Sequence, residues 1–149
     1  MRYTRNAVVI AAAMSLLILG CSDDSDDTTE STVEVTGTEK CSYVGVEEGL
    51  SEYHCEEVAS DPRVSGQALA LVDWDRASGD ISGTHELVND EGSWFGPVTG
   101  LDDETHGYID GLLEGRGAYD GLQYRFHVEA DDAVELGLNL VTGTIEPMP

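Results

Sequence analysis

Positive charge is what this chain has least of: seven Lys and Arg stand against 30 Asp and Glu, a formal net charge of −23 at pH 7. Nucleic acid is excluded as a partner, because its phosphates demand Lys and Arg. Docking of the chain's surface on anionic lipid headgroups is excluded for the same reason. Nucleophile and phosphate-binding signatures are missing too: there is no Gly-x-Ser-x-Gly elbow, no P-loop and no His-Glu-x-x-His. Cysteine is scarce, at three, with no Cys-x-x-Cys spacing. Long apolar runs are scarcer still. The single candidate, Ala7 to Leu19, is shorter than the roughly 20 residues a spanning helix needs. Nowhere does an apolar pattern of period 3.6 last long enough to make a helix.

That apolar run follows Arg2 and Arg5 and ends at Ile18-Leu19-Gly20-Cys21, after which the chain turns abruptly acidic. A basic start and an apolar stretch of this length form a signal peptide. The tetrad resembles the lipobox of bacterial lipoproteins. The resemblance implies removal of residues 1–20, a thioether-linked diacylglycerol on Cys21 and an acyl chain such as palmitate on the new amino group. Two or more chains anchor stably where one does not. The partner so implied is a membrane, reached through the lipid on Cys21, and the location is the bacterial cell envelope, outside the cytoplasm. Ser22 rather than Asp after the Cys implies the outer membrane where there is one. The competing readings are an ordinary secretory signal or an uncleaved membrane-associated helix.

With Cys21 assigned to lipid by that resemblance, Cys41 and Cys55 are an even pair in a compartment where disulfides persist, and they are expected to be bridged. Free thiols or metal ligands are the alternative, with no ligand spacing behind them. Loss of Arg2 and Arg5 leaves the remainder more acidic still.

Residues 21–39 are nearly all Asp, Ser, Thr and Glu, too polar to offset ordering, and are expected to be a disordered acidic linker extended by its own charge. Residues 40–149 form the folded domain. Leu122 to Glu129 alternates most clearly, with Leu122, Tyr124, Phe126 and Val128 on one face and Gln123, Arg125, His127 and Glu129 on the other. Similar segments, divided by Gly, Asn, Asp and Pro turns, raise the count to about eight strands. Connections this short make neighbours antiparallel. An all-β sheet with one apolar face must close into a barrel or fold into a sandwich. Glycines expected inside strands, namely Gly83, Gly96, Gly107, Gly111, Gly137 and Gly143, favour a single small antiparallel barrel, because they permit sharp coiling and close backbone approach.

The segment Glu114-Gly115-Arg116-Gly117-Ala118-Tyr119-Asp120-Gly121-Leu122 resembles the Gly-x-Gly-x-aromatic-x-Gly turn that precedes a late strand in allene oxide cyclase-like and dirigent-like barrels. Ser93-Trp94-Phe95-Gly96 and Gly143-Thr144-Ile145-Glu146-Pro147 resemble elements of related secreted bacterial proteins. The resemblance covers about residues 61–147 and implies the barrel, together with a hydrophobic cavity like the one in which the cyclases hold a fatty-acid epoxide. It carries over no polar cavity residue, hence no catalytic residue.

His85 falls on the apolar face with Ile81 and Leu87, so it points inward, either as a core histidine or as the polar group of a cavity walled by Trp94, Tyr124 and Phe126. His106 and His127 fall on polar faces, and as cross-strand neighbours they would lack a third ligand. Asp73, Asp75 and Asp80 fail the calcium-loop pattern, because Ala77 and Ser78 stand where a ligand and Gly are required. No metal and no cofactor is expected. Two functions follow. The first is a non-enzymatic, surface-anchored binding or interaction module for an unidentified protein or ligand. The second is a cavity barrel that binds or isomerises a small apolar molecule. They differ on whether the barrel interior is filled.

Overall fold

Alternation along Leu122 to Val128 places Leu122, Tyr124, Phe126 and Val128 on an inner face, the last three buried, with Arg125 and Glu129 exposed. The same two-residue rhythm recurs in every strand of the computed structural model, which describes residues 31–102, 106–130 and 138–149. The strands are β1 (Val33–Glu47), β2 (Leu50–Ala59), β3 (Gly66–Trp74), β4 (Asp80–Val88), β5 (Gly92–Asp102), β6 (Gly107–Gly117), β7 (Leu122–Ala130) and β8 (Leu138–Pro147). Each pairs antiparallel with the next. β8 returns to β1, from Val33 opposite Ile145 to Lys40 opposite Leu138, so the barrel is closed and keeps no free edge. Charge outside and apolar groups inside is the reverse of a membrane-spanning barrel, whose outward face carries the apolar band. Among the described residues no helix is long and apolar enough to cross a membrane.

One expected boundary moves. The linker was to run through Glu39, yet residues 33–39 are the first half of β1 and hydrogen-bond to β8 along their length. Composition misleads there because every second residue faces in, and those inward positions are Val33, Val35, Gly37 and Glu39, of which only the two valines look like core. Residues 1–20, Cys21, the linker up to residue 30 and Gly137 lie outside the described residues.

The end at which β1 begins is plugged. The connection from β2 to β3 folds into a short 3-10 turn, Pro62–Val64, capped by the Asp61 carboxylate, and Val64 inserts into the barrel with no exposed surface. Trp94 donates its indole N–H to the Arg63 carbonyl at 2.7 Å and stacks on Tyr119 at 4.9 Å between ring centroids. Tyr119 in turn donates to the Asn89 side-chain oxygen, and the Asn89 amide donates to the Arg63 and Ser65 carbonyls. Leu87, Leu113, Tyr124 and Ile145 complete this floor, each fully buried and each worth about 1.5–3 kcal/mol in burial. The glycine-rich segment ending at Gly121 is the turn that precedes β7, and it delivers Tyr119 to the plug.

Candidate functional site

Above the plug the barrel is hollow. A cavity of about 470 Å³ opens at the end opposite the start of β1, within the usual size range of small-molecule sites. Its wall is the Cys41–Cys55 disulfide, Tyr53, Val72, Ile81, Ile109 and Val128, and its rim carries Trp74, Asp102, His106, Tyr108 and Glu129. Arg76 covers Trp74, its guanidinium 3.5 Å from the ring centroid.

Phe126 lies between two glycines across the strands, Gly111 on β6 and Gly143 on β8, and its ring takes the space left by the first. A Cβ on Gly111 would stand 2.3 Å from the Phe126 ring. The ring therefore lies where the missing side chain would be, the arrangement by which an aromatic covers a strand glycine. It meets His85 at 5.3 Å between centroids.

The base of the cavity is polar and buried. Glu39 on β1 and Glu57 on β2 are direct cross-strand partners, two pairs along from the bridged Cys41 and Cys55 and on the same face. Both carboxylates are buried, as is His85 on β4. Like charges opposite one another destabilise a strand pair. Burial accordingly pushes the Glu39 carboxyl up to about 7, against a hydrogen bond from Asn139 that favours its charged form. Burial and the neighbouring Glu39 charge push Glu57 up to about 8, although the Tyr124 hydroxyl donates to its Oε1 at 3.0 Å. Burial holds His85 down to about 4, so its imidazole is neutral. His85 Nε2 lies 4.0 Å from Glu39 Oε1, too far for a hydrogen bond. That nitrogen is buried without a partner.

Of the four residues singled out in the sequence, His85 and Phe126 line the cavity. Trp94 belongs to the plug, and Tyr124 sits beneath the base with its hydroxyl on Glu57. His106 and His127 are not brought together: His127 faces Asp110 across the strands, its Nδ1 2.8 Å from that carboxylate, while His106 stands at the rim. Cys41 and Cys55 are bonded to each other. Sequence reasoning missed Glu39 and Glu57. The available signal was that each lies two residues from a bridging cysteine, hence on the same face of its strand.

Chemically, the base offers two carboxyls whose ionisation burial pushes up toward neutral pH, a neutral imidazole and a phenol, set among apolar wall. Comparisons with protein-family profiles, with curated proteins and with solved structures find no match to the chain.

Proposed function

We propose that this chain is a lipid-anchored, extracytoplasmic barrel that takes up a small, mainly apolar molecule through the open mouth, the molecule's polar end meeting Glu39 and His85. The observation that carries the reading is the hollow itself. A surface interaction module has no need of an open cavity of about 470 Å³, and leaving it unfilled forfeits packing. Apolar walls with a few convergent polar groups are the composition of small-molecule sites. The anchor fits this use. Cys21 lies N-terminal to Val33, and β1 starts at the plugged end, so the linker joins the barrel away from its mouth. Neither a nucleophile nor a cofactor enters the proposal.

Full-length protein purified in detergent from its own host, examined by native mass spectrometry and solvent extraction, tests the binding. About one small apolar molecule per chain is expected, lost from a Val72→Trp variant that fills the hollow. Ligand-free protein in which Trp74 fluorescence ignores fatty acids and other small amphiphiles would overturn it. A Cys21→Ser chain that stays membrane-bound would refute the anchor.

A further inference from the structure

Glu39, Glu57 and His85, all buried, each present one ligand atom, and the three atoms lie within 4.8 Å of one another. As they stand, each carboxylate keeps a hydrogen bond but is set against its like, and the imidazole nitrogen has none. The two carboxylates face each other across paired strands, and His85 Nε2 has no hydrogen-bond partner although it is buried and stands 4.0 Å from Glu39 Oε1. A buried acceptor left unpaired costs about 1–3 kcal/mol. One kind of occupant answers all three demands at once. A divalent cation neutralises both carboxylates and takes the imidazole lone pair.

We propose that Glu39, Glu57 and His85 form a binding site for a divalent transition-metal ion with the ligand preferences of zinc, its open coordination position facing the cavity. The proposal stands on this cluster and goes beyond the uptake of a small molecule, which needs no metal.

The donor set selects the ion. Calcium takes six to eight oxygen ligands and magnesium near-ideal octahedral oxygen, whereas an imidazole with two carboxylates suits zinc and its first-row neighbours. Three protein ligands with one position left open is the pattern of reactive rather than purely structural zinc. Zinc at about 2.0–2.1 Å from each ligand would draw the three atoms to about 3.4 Å apart. Geometry also sets the direction of the open position. Glu39 and His85 border the cavity and Glu57 does not, so the ligands close the site from the side and from below.

The supports expected around such a site are present. The Tyr124 hydroxyl holds Glu57 Oε1, and Asn139 hydrogen-bonds Glu39, each fixing one carboxylate as outer partners of metal ligands do. Tyr124 is itself held between Trp94 and Phe126, at centroid distances of 5.9 and 5.5 Å. A second cluster, Glu39 with Cys41 and Cys55, competes on paper only, because those sulfurs are joined in the disulfide and offer no thiolate.

Calorimetric titration of Zn2+ into detergent-solubilised full-length protein, stripped with EDTA, decides the matter, with Co2+ absorption reporting the ligand field. Wild type should bind one equivalent saturably. Glu57→Gln and His85→Ala should each weaken that step by more than about 100-fold, beyond what loss of a mere supporting residue costs. A Glu52→Gln/His54→Ala variant, which removes an exposed His–carboxylate pair on the outer surface, should leave the step intact and so separate the site from diffuse binding by surface acid. Absence of a saturable one-to-one step, or a step indifferent to Glu57→Gln and His85→Ala, would overturn the proposal. Should those variants fail to fold, the wild-type His85 ring resonances decide it: a Nε2 shift on Zn2+ addition supports the site, and an unmoved ring with zinc bound refutes it. Loss of the zinc step with a co-purifying apolar molecule retained would remove the metal and leave the small-molecule reading standing.

Discussion

Tyr124 and Glu57, 67 residues apart, meet at the base of the cavity, where the phenol donates to the carboxylate at 3.0 Å between two elements that are not strand neighbours. The bond ties β7 to β2 across the barrel interior. It also lowers the cost of a carboxylate that burial and Glu39 both disfavour.

Removing the phenol oxygen should therefore cost more than a surface hydrogen bond. Tyr124→Phe keeps the ring in the plug and leaves Glu57 without its donor. A loss of about 1–3 kcal/mol is expected, read as a shift of the urea midpoint with an unchanged slope. The Glu57 carboxyl, followed by carbon NMR in EDTA-treated protein, should titrate at higher pH than in wild type. An unmoved titration would mean that the bond does not stabilise the carboxylate.

The carboxyl pair also sets a pH dependence for metal-free protein. Glu39 and Glu57 are raised from 4.5 to about 7 and about 8, so the folded chain retains protons that the unfolded chain has released. Their contribution to stability is full below about 4.5 and is lost as pH rises through 7 and 8. His85 works in the opposite direction. Lowered from 6.5 to about 4, it adds stability above 6.5 that is lost as pH falls toward 4. The two effects oppose each other in acid, and above about 6.5 the loss is unopposed. Denaturation midpoints of EDTA-treated protein should fall between pH 6.5 and 8.5, and the fall should flatten in the Glu39→Gln/Glu57→Gln variant. The two carboxyls titrate as a coupled pair, so one broad transition is expected rather than two sharp ones.

The barrel was legible in the sequence because its inner face is written in alternation. Tyr124, Phe126 and Val128 declare one side of β7, and His85 follows from its step with Leu87. The polar base was not legible, for a physical reason. In a chain with 30 acidic residues, a carboxylate facing inward looks like any other, and its two-residue step from a bridging cysteine places Glu39 inside the barrel only once β1 is known to be a strand that closes against β8. Trp94 misled in the other direction. An aromatic on the inner face can line a hollow or fill it, and its place in the plug depends on Arg63 and Tyr119, which reach it from connections that the strand pattern does not describe.

Gly111 and Phe126 divide one space between them, and that gives a coupling to measure. Gly111→Ala places a methyl against the ring and should destabilise by about 1–3 kcal/mol through overpacking. Part of the strain is relieved by pushing the ring toward His85, which narrows the cavity. In the background of Phe126→Leu the same alanine should cost less than about half as much. Equal costs in the two backgrounds would show that the ring does not depend on the glycine.

Cys41 and Cys55 hold β1 and β2 together two pairs along from Glu39 and Glu57, so the bridge braces the place where like charges push the strands apart. Breaking it with Cys41→Ala/Cys55→Ala removes a closed loop with a sequence separation of 14, and about 2–5 kcal/mol should go with it. Loop entropy alone predicts the same loss at every pH. Repulsion between the carboxylates predicts more. With the bridge gone, metal-free protein should lose additional stability at pH 8.5 relative to pH 6, because both carboxyls are then ionised and only the remaining hydrogen bonds resist their separation. Adding Glu57→Gln to the bridge-free chain should abolish that extra loss. A pH-independent deficit would assign the bridge to chain entropy alone and detach it from the polar base it adjoins.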